Sequence, residues 1–279
     1  MQNMKSLNLS NYNLHIEKVL DEIECNLNHN LSIEKLSHLA GYSPFHFQRL
    51  FKDYVGESVH QYIKRLRVEK TALMLKYQYN NVTDSAIRTG FNNNISLTRA
   101  FKSIYNCSPK EYKDRFRTFN KKYDTPSFKV VNIDDFKVFF VRVCGDYHYS
   151  ERASWMEVEN NFCELSQNNL QYISICYNEP SITLQKTNLR YEACILFEKN
   201  KHSHIANLPI KTIRGGKYAK FSFTGTLGEF DNFFNIVFDT FYHDKNYQIS
   251  LKPSFQLHHN SYRDLLFGTT TTDLFIPID

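Results

Sequence analysis

No run of apolar residues in this chain approaches the roughly 18 needed to cross a bilayer, so no membrane-spanning helix is expected. The first segment, MQNMKSLNLSNYNLHIEKVLDEIE, has no continuous apolar stretch of the kind a secretory signal carries, and a cytoplasmic location is expected. Cysteine is sparse and scattered. Cys25, Cys107, Cys144, Cys163, Cys176 and Cys194 form no Cys-x-x-Cys pair, and no Cys/His pairs stand at zinc-ligand spacing, so reduced thiols and no metal are expected. Only 9 Gly and 7 Pro exclude collagen-like or linker-rich chains. Catalytic signatures are missing too: there is no Gly-x-Ser-x-Gly elbow, phosphate-binding glycine loop or His-Glu-x-x-His. The segment RGGKY has two glycines but none of a phosphate loop's other parts, and no cofactor is expected. Aromatic residues, by contrast, are plentiful. With 23 Phe and 18 Tyr among 279 residues, the chain has apolar surface enough for two ordinary domains.

Charge divides the chain. Residues 1–122 hold 19 Lys and Arg against 11 Asp and Glu, while the remainder is slightly acidic. A basic half beside an acidic half suggests that one part meets a polyanion. Periodicity divides it at the same place. Leu14, Val19, Leu20, Ile23 and Leu27 recur at helical spacing, as do Ile33, Leu36, Leu39 and Ala40. Ser43-Pro44 predicts a capped helix through Val55, and Ser58 a long one after it. Beyond Pro126 the period becomes two, with strands expected around Val138–Val143, Ile173–Tyr177 and Phe221–Phe223. The boundary is placed between 117 and 127, giving domains 1–120 and 127–279.

A repeat inside the helical half sharpens its meaning. GYSPFHFQRLFKDYVGESVHQYIKR from Gly41 recurs as GFNNNISLTRAFKSIYNCSPKEYKDR from Gly90, with Arg49 over Arg99, Phe51 over Phe101 and Lys52 over Lys102. Helix, glycine turn, helix is the plan of a helix-turn-helix. Phe47, Leu50 and Phe51 read as core. His46, Gln48 and Arg49, then Asn93, Asn94, Thr98 and Arg99, carry donors and acceptors that suit base edges and phosphates, and Lys52 and Lys102 suit phosphates.

The tandem LSIEKLSHLAGYSPFHFQRLFKDYVGESVHQYIKRLRVEKTALML and GFNNNISLTRAFKSIYNCSPKEYK resembles the AraC/XylS family of bacterial transcription regulators, in its Rob-like branch. The resemblance covers roughly residues 8–118. It implies that the helices from Pro44 and from about Asn93 are recognition helices, with Phe45, Gln48 and Arg49 at groove-contacting positions and Asn94, Thr98 and Arg99 at comparable ones. Double-stranded DNA and RNA polymerase are the implied partners. Ile95 stands where that branch usually has a polar base reader, and Ser85 where an apolar residue is usual, so weaker sequence reading is expected of the second copy.

The second half repeats more faintly, VFFVRVCGDY (138–147) against YAKFSFTGTL (218–227), each followed by a helical segment. Two strand–helix units about a pseudo-twofold would leave a groove between their helices. ICYNEPSIT, RYEAC, IRGGKYAKFSFTG and TDLFIPI resemble a GyrI-like effector domain, which implies an α+β fold binding a small molecule in an aromatic groove. Tyr147, Trp155, Phe223 and Phe255 are the candidate aromatic faces. The resemblance puts a cation-facing carboxylate at the position of Gln256 and an acid at Asn178, so reduced negative charge is expected and neutral or polar aromatic ligands are favoured over lipophilic cations. His258 and His259 are read as surface or satisfied side chains. Other readings are a small-molecule hydrolase, with Glu192 or Glu157 activating water, and a partner-binding module. The favoured reading is a non-enzymatic regulator, with Glu192 and Gln256 in its effector site.

Overall fold

Side-chain caps fix where the N-terminal helices begin. Ser32 accepts from the Lys35 amide to open α2 (Ile33–Ala40), and Ser43 accepts from the His46 amide, beside Pro44, to open α3 (Pro44–Val55). These follow α1 (Asn11–Cys25) and precede α4 (Val59–Tyr77), α5 (Val82–Arg88), α6 (Asn94–Tyr105) and α7 (Pro109–Arg115). Asn93 caps α6, and Ser108 with Glu111 makes a reciprocal capping box on α7. The computed structural model describes residues 11–77, 81–116, 124–162, 170–179, 182–198, 209–241, 246–248, 250, 252–260 and 268–278. Most of the expected domain boundary, 117–123, and Cys163 lie outside them.

The sequence repeat is a structural one. Gly41 and Gly90 turn α2 into α3 and α5 into α6 at φ of 72° and 84°. At Gly90 a Cβ would also stand 2.4 Å from the Leu27 carbonyl oxygen, so no larger residue fits without displacing backbone. Phe47 and Phe51 of α3, and Leu97 and Phe101 of α6, are fully buried beneath their outer faces.

The C-terminal half is a curled antiparallel half-barrel with helices on one side. Its strands are β1 (Lys129–Ile133), β2 (Phe136–Cys144), β3 (Tyr172–Cys176), β4 (Arg190–Leu196), β5 (Ile210–Ile213), β6 (Gly216–Thr226), β7 (Phe255–His258) and β8 (Thr269–Pro277). They are ordered β1-β6-β8-β7-β3-β4-β2-β5. Helix α8 (Tyr147–Phe162) follows β2, and α9 (Leu227–Phe241) follows β6. This is the expected duplication of strand–helix units. α8 packs over β2 and β4 and α9 over β6, leaving β3 and β7 between them.

Alternation along the strands gives the sheet two faces. Phe139, Val141, Tyr191, Ala193 and Ile195 pack with Trp155 under α8. Val138, Phe140, Ile173, Ile175, Phe255 and Phe275 point the other way, into the half-barrel's open face. The two halves share one core, in which Leu75, Tyr77 and Phe101 join Phe221, Phe238 and Ile276. The Tyr77 and Phe238 rings meet edge-on at 6.5 Å, and the Tyr105 hydroxyl donates to the Ile182 carbonyl at 2.8 Å. Each buried ring of this kind contributes about 2 kcal/mol, so the halves are held together rather than tethered.

Candidate nucleic-acid interface and effector site

The outer faces of α3 and α6 are exposed, uncovered by the described residues of the C-terminal half, and present matching side chains. Phe45 is 82% exposed and its counterpart Ile95 is 75% exposed. Gln48, Arg49 and Lys52 are exposed along α3, and Asn94, Arg99 and Lys102 along α6. His46 is half-buried, its ring 5.2 Å from that of Tyr42. Thr98 is half-buried as well. Asn93 and Asn94 are more constrained than the sequence suggested. The Asn93 amide oxygen accepts from the Ser96 amide at 2.8 Å, and the Asn94 amide donates to Thr83 at 2.8 Å. A cleft of about 630 Å³ separates the two motifs, and His60, Lys64, Ser96 and Arg99 line it. The repeat had not pointed to His60 or Lys64, because neither belongs to a recognition helix.

The six expected effector residues divide between the faces of the sheet. Tyr147, Trp155, Phe223 and Gln256 are on the helix-covered side. Trp155 donates to the Tyr191 hydroxyl at 2.9 Å and is fully buried, and Tyr147 donates to the Asn178 carbonyl at 2.6 Å. Phe223 packs on Phe230 and Phe233 of α9, 5.3 and 5.1 Å away. Gln256 does not face the aromatic groove on the open side. Its amide oxygen accepts from the buried Ser174 hydroxyl at 3.0 Å. With the Ser174 proton committed, His258 Nε2 must donate to the Ser174 oxygen at 2.8 Å, which leaves Nδ1 to accept from Thr272 at 3.0 Å. Burial holds His258 neutral by pushing its pKa down to about 3. This floor between α8 and α9 is polar but uncharged. Glu151, on α8, borders it; burial and then the nearby Asp231 raise its pKa to about 7.

Phe255 and Glu192 lie on the open face. Phe255 stacks on Phe275 at 4.6 Å beside Tyr218 and Phe136, in a groove of about 360 Å³. Further along the same strands the face becomes ionic. Glu192 is fully buried, and both its oxygens are fully engaged. Oε1 accepts from Arg142 Nε at 2.7 Å and Nη2 at 2.6 Å, and Oε2 from the Tyr177 hydroxyl at 3.1 Å and from Lys211. No lone pair is left to take a proton from water, which is not the arrangement of a general base. Glu157, the other expected hydrolytic candidate, accepts from Asn161 within α8.

Helix α1 completes this ionic end. Arg142, whose side chain is 4% exposed, contacts Glu17 at 3.0 Å, Asp21 at 3.1 Å and Glu24 at 3.2 Å. Arg190 reaches Glu24 as well, and the Tyr62 hydroxyl at 2.9 Å. Burial disfavours the charge on Glu24, but Arg142 and Arg190 outweigh it and hold its pKa below the ordinary range. At Glu17 burial outweighs Arg142, and the pKa is raised. Asp21 is pushed to about 7 by burial, against the opposing pull of Lys211 and Arg142. None of these contacts was legible beforehand, because α1 reads as an ordinary amphipathic helix and Arg142 as one charge inside a strand.

Residues 36–115 match the model of a helix-turn-helix domain family, and residues 129–278 that of the integron-associated effector binding proteins. The multiple antibiotic resistance protein MarA of Escherichia coli K12 is 40% identical over 98 residues, covering 35% of this chain and 77% of MarA. The putative HTH-type transcriptional regulator YkgA of the same strain is 33% identical over 100 residues, which span 36% of this chain and only 42% of YkgA. Among solved structures, the DNA-binding domain of AdpA in complex with a target DNA aligns with 39% of this chain and 97% of its own, at a TM-score of 0.37 and 23% identity.

Proposed function

Because the chain belongs to the AraC-type helix-turn-helix regulators that carry a GyrI-like, integron-associated kind of effector-binding domain, we propose that it is a sequence-specific, cytoplasmic transcription regulator whose DNA contacts answer to a small molecule. The observation that carries this reading is the pair of outward faces on α3 and α6. Both expose an apolar residue, Phe45 or Ile95, one turn from an arginine, Arg49 or Arg99, and no described residue of the C-terminal half covers either face. Successive major grooves on one side of B-DNA lie ~34 Å apart, so one chain bearing two such helices spans a non-palindromic site of about two turns. Gln48 and Arg49 are the base readers in this scheme, Thr98 and Arg99 their second-motif counterparts, and Lys52 and Lys102 the phosphate contacts. Ile95 offers no hydrogen bond, so the second motif holds more than it reads. RNA polymerase is the partner through which bound protein alters transcription.

Genomic footprinting of the purified chain tests the reading directly. Protection of asymmetric sites about two turns long is expected; symmetric half-sites that require a dimer would overturn the single-chain geometry. Arg49→Ala should cost about 1–3 kcal/mol at the specific site with relaxed sequence preference. Lys52→Ala should weaken specific and random DNA alike and reduce the salt dependence. The catalytic alternative is disfavoured by the saturated oxygens of Glu192, and absence of turnover with ester and amide substrates is the expected result.

A further inference from the structure

We propose that the opening beside Asp21, between α1 and β5–β6, is a ligand site for a small organic carboxylate, which takes the place of the Asp21 side chain on Lys211. The inference rests on the effector-binding reading above and adds a ligand class and a route to the DNA-binding half.

The charge balance comes first. The C-terminal half brings Arg142, Arg190 and Lys211 to one buried cluster in which, among its described residues, Glu192 is the acid that pairs with Arg142 and Lys211. By itself that end of the open face is an anion receptor with an excess of positive charge. Its anions are supplied by α1, as Glu17, Asp21 and Glu24. Buried cations left without a counter-charge are costly, so this end needs an anion from outside the domain.

The three carboxylates are not held equally. Glu17 and Glu24 have side chains 5% exposed, each in close contact with an arginine. Asp21 is 23% exposed and stands 3.8 Å from Lys211. Burial raises its pKa against the pull of Lys211 and Arg142. Asp21 also lies beside an opening. A cavity of about 130 Å³ is lined by Asp21 and Glu24 of α1 and, opposite them, by Lys211, Arg214, Lys252 and Tyr218. Three cationic side chains thus face two carboxylates, of which Glu24 is already held by Arg142 and Arg190, and Tyr218 offers an apolar wall suited to an aromatic or alkyl body. Carboxylate is the favoured anion because it repeats the group already present, at a distance from Lys211 that a mobile ligand can shorten.

Displacement has a path to DNA. Tyr54, on the recognition helix α3, donates to Glu17 of α1 at 2.6 Å, and the His15 ring of α1 is bonded to the Ala40 carbonyl, next to the turn into α3, at 2.9 Å. A ligand that loosens α1 from Lys211 therefore acts on the support of the first motif.

The test is calorimetry on the full chain with benzoate, benzyl alcohol and benzyltrimethylammonium as probes at one pH and ionic strength. Benzoate is expected to bind at least about tenfold more tightly than either other probe, the factor one partly shielded charge pair supplies. At pH 8.5, where Asp21 is ionised, Asp21→Asn removes the competing charge and should tighten benzoate about tenfold. Arg214→Met, an exposed position whose loss leaves the fold intact, should weaken it several-fold. Lys211→Met, read only where circular dichroism shows the native fold, should abolish it. Benzoate binding no better than benzyl alcohol, an unchanged affinity in Asp21→Asn, or a preference for the quaternary amine would each overturn the proposal. Footprinting of the same preparations keeps the two readings apart. A chain that protects DNA but ignores benzoate loses only this site, whereas one that protects no sequence loses the regulatory reading.

Discussion

The two faces of the C-terminal sheet solve the burial of polar groups in opposite ways. On the helix-covered face, Ser174, Gln256, His258 and Thr272 satisfy one another as neutral groups, and none requires a counter-charge. On the open face, Arg142, Arg190, Lys211 and Glu192 are charged, and a helix from the other half balances them. A neutral network is closed within its own domain. An ionic one with an excess of one sign stays open until another segment supplies the difference. Both faces touch the DNA-binding half, but the first meets it through apolar packing of Phe221, Phe238 and Ile276, whereas the second is tied to it by charge.

Breaking each network measures the contrast. Arg142→Ala leaves Glu17, Glu24 and Glu192 facing one another in a desolvated site, and a loss of about 3–5 kcal/mol in urea unfolding is expected. Ser174→Ala on the neutral face leaves one amide oxygen and one imidazole donor unpaired, for an expected loss of about 1–3 kcal/mol. Equal losses would mean that water reaches the ionic cluster and screens it.

Acidity should move the two faces in opposite directions. As pH rises from about 4 to about 7, an unfolded aspartate gives up its proton while Asp21 keeps its own, so Asp21 costs stability over that window and the cost is complete above it. As pH falls from about 6.5 toward about 3, the unfolded histidine takes up a proton that buried His258 refuses, so His258 costs stability on the acid side. Relative to wild type, Asp21→Asn should therefore fare better at pH 7.5 than at pH 5, and His258→Gln better at pH 5 than at pH 7.5, by chemical denaturation. The same ranking for both variants would contradict the assignment of the two groups.

The smallest expected effect sharpens the comparison from the ligand's side. Gln256→Glu introduces a charge into the neutral floor near α8 and α9. Lipophilic cations should bind several-fold better there, with neutral aromatics little changed, because rings alone give a cation only ~0.5–2 kcal/mol against its desolvation. Calorimetry is the suitable readout, since Trp155 is buried against Tyr191 rather than lining open space. A wild type that already binds such cations as tightly would turn attention to Glu151, whose carboxyl borders that floor.

Local rules written in the sequence determined much of this protein. Ser43, Asn93 and Ser108 cap helices, Gly41 and Gly90 adopt the left-handed turn, and the fifty-residue repeat becomes two helix-turn-helix units of the same plan, because capping and backbone freedom act over only a few residues. The strand–helix duplication was legible for the same reason, through its change of period. Tertiary structure alone decided which face of the sheet the helices cover. Strand alternation alone puts Gln256 and Phe255, adjacent in sequence, on opposite sides, but only the helices' placement made those sides different and so divided an expected single groove in two. Tertiary structure also brought Glu24 to Arg142 and Arg190 across more than a hundred residues. Charge pairing has no periodicity, and an amphipathic helix does not announce what its acidic residues will meet. Only the docking of α1 against the open face makes Glu17, Asp21 and Glu24 part of an effector domain to which their sequence positions do not assign them.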